Sequence, residues 1–298
     1  MRAVLTCVVL LATSSATVDA PVAYGGMCEA SAIVFLDPTH FVVASDETNV
    51  LQVYTRGKAR PDRSVDLRGF TGFNKSDFES AAVVGNRIYW MGSHSFSRRG
   101  WDEPQRKILV ATEAAQTAGG VPTLKPIGAA RFDLGAAITK AAGVDAAKLN
   151  IEGMAPAPDG GLLIGLRGPL AGARAIVITL SNPAEMIAGA SPRFGPRFSL
   201  PLDGLGIRDI ARVDAAKGDY LIAAGHSGPE AETVFALYWW SGRNDHVELK
   251  EMVGGLFAEG VARVPGTTKA MLISDDGELC SDKGPPSERR FRSRDVNL

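Results

Sequence analysis

The chain has 298 residues, 45% of them hydrophobic and 22% charged, with 33 glycines, 17 prolines and a formal net charge of -1. These values exclude intrinsic disorder and collagen-like structure. They also remove the electrostatic basis for nucleic-acid binding, which needs a basic face or stripe to displace counterions from the phosphate backbone.

The first twenty residues, MRAVLTCVVLLATSSATVDA, place Arg2 before an apolar run from Ala3 to Ala12, followed by small residues. This is the pattern of a secretory signal peptide, too short to span a bilayer that needs about 20 apolar residues. Cleavage is expected after Ala16 or Ala20; an uncleaved anchor is the alternative. No later segment is apolar enough to cross a membrane, so residues 21–298 are expected to form one soluble domain, periplasmic or secreted, with no stable membrane insertion. Cys7 leaves with the signal. Cys28 and Cys280 remain, and an even count in an oxidising compartment points to one disulfide, with two free thiols as the alternative.

From Cys28 onward one phrase occurs five times: CEASAIVFLDPTHFVVASDE, FESAAVVGNRIYWMGSHS, IEGMAPAPDGGLLIGLRGP, IRDIARVDAAKGDYLIAAGHS and AEGVARVPGTTKAMLISDDG. Each starts with an acid and a small or apolar run, passes a turn rich in Gly, Asp, Asn or Pro, and rises into a strand that ends on a polar residue. The leading acids Glu29, Glu79, Glu152, Asp209 and Glu259 are 50, 73, 57 and 50 residues apart. A period near 50 is that of a four-stranded propeller blade.

Further strands fill the intervals: NVLQVYTR and RSVDLRG, then KILVATE, then RAIVITLS and RFSLPLD, then VFALYWWS and HVELKEMV. The long interval holds FDLGAAITKAAGVDAAKLN, a helical insertion over about 133–149, expected outside the wheel. The fifth copy has only RFRSRDVNL downstream, inside a basic tail at 283–298 expected to be a solvated terminus. The fold class is therefore all-β, a β-propeller of five four-stranded blades, with a sixth if the long interval hides a degenerate copy. Ring closure would bring Cys28 and Cys280 to one seam.

Pairing the two strands of each phrase sets its leading acid beside the polar residue that ends its second strand: Asp46, His94, Arg167, His226 and Asp275. Inner propeller strands line the channel, so these groups are expected at one mouth. Several carboxylates near one axis repel unless cations compensate. Arg167 and Arg208 are the candidates within the protein. The other solution is a divalent metal held by Glu29, Glu79, Glu152, Asp209, Glu259, Asp46 and Asp275: Ca²⁺ for an oxygen shell, zinc or another transition metal if a histidine joins. A repeated acid can instead accept from backbone amides of the neighbouring blade.

GHSG at Gly225–Gly228 lacks the strand, elbow and helix of a serine hydrolase. The sequence has no Walker loop, HExxH or CxxC. Tyr238, Trp239 and Trp240 are expected in blade packing rather than as a sugar platform. The chemistry that follows is metal-assisted hydrolysis of a small phosphoester, ester or lactone, with Glu152, Arg167, His94 and His226 as catalytic candidates. The competing reading is a non-catalytic propeller that binds a peptide, glycan or protein partner.

The phrases SDETNVLQVY, RIYWMGSHS, LNIEGMAPAPDGGLLIGLRGPL, GLGIRDIA, FAEGVARV and LISDDGEL resemble the domain-of-unknown-function family numbered 3616, found in secreted bacterial proteins. They span residues 28–279. The second phrase departs from the family's Glu-Gly with Glu79-Ser80. The resemblance implies a propeller-like β fold and brings no established activity. The Glu-Gly-led blades are more distantly similar to phytase-like esterases and lactone-hydrolysing propellers with a channel metal.

Overall fold

The computed structural model describes residues 20–132, 134–228, 234–280, 284–285 and 287–298. The signal segment, with Arg2, Ala16 and Cys7, lies outside the described residues. Among the described residues no helix is long and apolar enough to cross a membrane.

The chain opens with β1 (Val22–Gly25). Blade 1 is β2 (Ala30–Phe35), β3 (His40–Ser45), β4 (Thr48–Thr55) and β5 (Arg63–Asp66). Blade 2 is β6 (Phe78–Val84), β7 (Arg87–Gly92), β8 (Leu109–Ala115) and β9 (Thr123–Arg131). Blade 3 is β10 (Asn150–Pro156), β11 (Leu162–Gly168), β12 (Ala175–Leu180) and β13 (Phe194–Leu200). Blade 4 is β14 (Gly206–Ala215), β15 (Gly218–Gly225), β16 (Phe235–Trp240) and β17 (Val247–Val253). Blade 5 takes β18 (Ala258–Arg263), β19 (Lys269–Ser274) and β20 (Arg290–Asn297), and β1 completes it from the far end of the chain, in the order β1-β20-β19-β18.

The five sheets make a five-bladed propeller, and all their strand pairs are antiparallel. Contacts run from β2 to β6, β10, β14, β18 and back to β2, so the first strand of each phrase lines the axis. Among the described residues the long interval holds no further blade.

Burial explains why the strands read differently in sequence. An inner hairpin has a neighbouring blade on both faces, so β11 (LLIGLRG) and β15 (GDYLIAAG) are near-continuous apolar runs and almost wholly buried. Outer β17 (VELKEMV) is largely exposed. Tyr238, Trp239 and Trp240 are buried in β16, as expected for blade packing.

Two expectations change. The helical segment, α1 here (Gly135–Ala142), does not decorate the rim. Its Ile138 and Ala142, with Leu134 before it, join the core between blades 2 and 3 beside Tyr89, Leu109, Ile164 and Ile176. The basic tail is not a solvated terminus either. Residues 290–297 are β20, hydrogen-bonded between β1 and β19, with Phe291 fully buried against Tyr24 and Tyr54. Its arginines are tolerated because they stay part-buried and find partners: Arg292 donates to Asp276 and the Gly255 carbonyl and Arg294 to the Gly254 carbonyl, while Phe291 and Ser293 are buried on one face and Val296 on the other.

The seam is closed twice, by β1 on β20 and by a disulfide between Cys28 and Cys280, 252 residues apart.

Candidate functional site

Near its start each inner strand skips one residue of the ladder with its partner, and β10 and β14 each carry a second irregularity. The skipped residues are Ser31 in β2, Glu79 in β6, Glu152 in β10, Arg208 in β14 and Glu259 in β18. Such a bulge leaves its extra residue outside the ladder, free to aim its side chain. The same rung of five blades therefore presents Ser, Glu, Glu, Arg and Glu.

Two expected leading acids fall elsewhere. Glu29 lies two residues before its blade's bulge, on a rung with Asp77 and Asn150. Asp209 lies one residue after. Bulges also explain the Glu-Gly phrase: a Cβ at Gly153 would lie 2.6 Å from Ile207 Cγ2, and one at Gly260 would lie 3.1 Å from Ile33 Cγ2, both on the next blade. In blade 2 Ser80 takes that place fully buried.

The mouth is divided electrostatically. Over blades 3, 4 and 5 acids and arginines interlock. Arg208 Nη1 donates to Glu152 Oε2 at 2.6 Å and to Glu259 Oε2 at 2.9 Å. Arg167 Nη1 donates to Glu152 Oε1 at 2.9 Å, and its Nε to the His226 carbonyl at 3.3 Å. Burial would raise the Glu152 carboxyl, but Arg208 and Arg167 outweigh it and hold that group below its ordinary value. Glu259 shares one guanidinium with Glu152. Burial dominates there and pushes it up to about 8 despite Arg208.

Over blades 1 and 2 carboxylates meet with little compensation. Oxygens of Asp46, Asp77 and Glu79 lie within 4.8 Å of one another, as do those of Glu29, Asp46 and Glu47. Burial, then the charges of Glu29 and Asp77, push Asp46 up to about 9, and its Oδ1 is buried with no hydrogen-bond partner among the described residues. Glu79 is pushed well up by burial and by Asp77, Glu152, Asp46 and Glu259. Asp77 is raised by burial although Ser93 Oγ donates to it at 2.5 Å and Arg106 stands 3.4 Å away. Lys75 bonds Glu47 at 2.5 Å.

Asp275, on the seam opposite Glu29, is also raised by burial while accepting from the Gly277 amide at 2.8 Å. Its neighbour Asp276 accepts from Ser274 and from Arg292 of β20, each at 2.7 Å.

The remaining expected residues do not join the carboxylate clusters. Asp209 is sealed between blades and accepts from the amides of Ile210 and Val261, each at 2.8 Å. It fastens blade 4 to blade 5. His94 is buried, with Nδ1 3.0 Å from the Gly92 carbonyl, and burial pushes it down to about 4. His226 packs edge-on to Phe235, and burial, with Arg208 and Arg167, pushes it down to about 4. Asp77, Glu47, Lys75 and Arg106 are members of the site that the phrase pattern did not indicate. Asp77 had one signal: it stands two residues before Glu79, as Glu29 stands two before Ser31.

No curated protein matches the chain. Among solved structures, glutaminyl cyclase of Myxococcus xanthus is 12% identical, covering 93% of this chain and 95% of its own, with a TM-score of 0.49. The PQQ-bound aldose sugar dehydrogenase of Streptomyces coelicolor is 12% identical, covering 94% and 98%, with a TM-score of 0.47. The five-bladed architecture rests on the sheet topology and not on these likenesses. Residues 136–254, from α1 through β17, match the family described as protein of unknown function (DUF3616), the family that the sequence resembles.

Proposed function

We propose that the channel mouth binds a hard divalent cation at Asp46, Asp77 and Glu79 and serves the hydrolysis of a small anionic phosphoester, ester or lactone. The observation that carries this reading is the convergence of those three carboxylates within 4.8 Å, with Asp46 Oδ1 buried and unpartnered. Like charges this close are held apart or protonated unless a cation joins them. The donors are all carboxylate oxygens, which suits Ca²⁺ better than zinc.

A bound ion would polarise a substrate oxygen and lower the pKa of a water. The chain's own groups do the rest. Glu152 and the His226 carbonyl orient Arg167, which is 22% exposed, so that its guanidinium can hold an anionic oxygen. Arg208, sealed beneath, fixes Glu152 and Glu259 and takes no part in binding. We assign no proton transfer to His94 or His226: His94 is sealed from solvent, and burial pushes both imidazoles down to about 4, which makes them weak bases near pH 7. The disulfide suits an oxidising compartment, so the proposed setting is the periplasm or exterior.

The test is calorimetric titration of the mature protein with Ca²⁺, alongside a screen of small phosphoesters, esters and lactones. The reading expects one ion per chain, at least tenfold weaker binding in Asp46→Asn and Glu79→Gln, and Ca²⁺-dependent turnover lost in Arg167→Met. No binding by the native protein at millimolar Ca²⁺ would sink it.

A further inference from the structure

The five inner strands run from the acidic mouth to a second opening about 13 Å away, at about 3.3 Å per residue over four residues. Counting on from the bulges, the second rung is Ile33, Ala81, Met154, Ile210 and Val261, and the fourth is Phe35, Val83, Pro156, Arg212 and Arg263. Residues two apart on a strand share a face, and all ten line one cavity of about 300 Å³. The cavity is thus assembled by all five blades at the end of the axis away from the carboxylates.

Its composition is polarised. The inner rung is entirely apolar. On the outer rung blades 1 to 3 supply Phe35, Val83 and Pro156, whereas blades 4 and 5 supply two guanidinium groups. Asp214 meets Arg212 Nε at 2.8 Å and lies 3.9 Å from Arg263. One carboxylate facing two arginines leaves the rim net positive. Arg263 Nε has no hydrogen-bond partner among the described residues, and both arginine side chains are 40% exposed. A pocket with apolar walls and a few convergent polar groups at one edge is the form of a small-molecule site.

We infer that this second mouth is a binding site for a small monocarboxylate with an apolar body, such as a medium-chain or aromatic acid. The body lies against Phe35, Val83 and Pro156, over the closed floor of Ile33, Met154, Ile210 and Val261, each 2% exposed or less, and the carboxylate meets Arg212 and Arg263 at the rim. Guanidinium and carboxylate match in charge and in fork geometry. The site is independent of the proposed cation site, because no residue is common to both.

The test is calorimetric titration with octanoate, 1-octanol and octylammonium, which share a chain and differ in head group. Octanoate is expected to bind one per chain, about tenfold or more tighter than octanol, since a charge-assisted hydrogen bond contributes about 1.5–3 kcal/mol, with octylammonium weakest. In an Arg212→Gln, Arg263→Gln double variant octanoate should fall to the affinity of octanol. Both side chains are solvent-exposed, so folding should survive the change. Val83→Trp, at a position 37% exposed on the rim, should block both ligands with thermal stability unchanged. Equal affinity for the three head groups would overturn the proposal. So would octanoate binding that survives both variants, or no octanoate binding at millimolar concentration.

Discussion

Arg208 and Glu259 occupy the same rung of adjacent blades, and Arg208 Nη1 donates to Glu259 Oε2 at 2.9 Å while also holding Glu152 at 2.6 Å. One buried cation therefore clamps three blades. Arg208→Met should lower stability by about 3–5 kcal/mol, because it removes the buried cation that Glu152 and Glu259 share and leaves Glu152 to Arg167. Adding Glu152→Gln and Glu259→Gln should recover most of that loss. Denaturant unfolding checks both steps, and a loss below about 1 kcal/mol in the single variant would contradict the clamp.

The acidic arc sets a pH dependence of definite sign. Asp46 and Glu259 have folded-state pKa values of about 9 and about 8, above the ordinary carboxylate range. The folded state therefore binds more protons than the unfolded state between about pH 4 and those values. Stability from these groups is full below that window and falls as pH rises through it, by roughly 1 kcal/mol per pH unit for one such group. Glu152, held low, acts oppositely and costs stability only as pH falls below its ordinary value. Melting temperature without Ca²⁺ should thus decline from pH 6 to pH 9. Asp46→Asn should flatten the decline, and millimolar Ca²⁺ should restore more at pH 9 than at pH 6.

Asp209 and Glu79 should separate by role. Asp209→Ala removes the acceptor of the Ile210 and Val261 amides and should lower stability by about 2–6 kcal/mol, at 1–3 kcal/mol per orphaned group. Its Ca²⁺ affinity should stay within about twofold of the native protein's. Glu79→Gln should do the reverse, losing the ion while melting at or above the native temperature in chelator.

The seam provides a fourth test. Cys28→Ala with Cys280→Ala should lower stability by roughly 2–5 kcal/mol, the range for opening a long disulfide loop. The fold should persist, since β1 and β20 still bridge the gap. Far-UV circular dichroism and denaturant midpoints read the two effects separately.

The wheel was legible because each blade repeats one physical problem: a strand buried on both faces that must start polar, turn tightly and end polar. The Cys28–Cys280 pair followed from closure of such a ring. The phase of the repeat was harder to read. Setting IEGMA over IRDIA and AEGVA aligns Arg208 with Glu152 and Glu259, yet choosing the acid in every copy moves blade 4 by one residue and blade 1 by two. Charge type misled there because the bulge selects a side chain's position, not its sign.

Strand β20 was obscured because RFRSRD is dense in charge, and only pairing on both edges shows that Phe291 and Ser293 are buried on one face and Val296 on the other. Strand β9 (TLKPIGAAR) went unread for a related reason: an outer strand has few buried positions to mark it.

Blade 5 takes β1 from residues 22–25 and β20 from residues 290–297. A polypeptide grown from its amino terminus can pack blades 1 to 4 in succession, but its first strand waits unpaired until about 265 further residues have been made, the span from Gly25 to Arg290. Until then the ring is an open crescent with two exposed flanks, and any helper that shields nascent chains would have its longest engagement with those two ends.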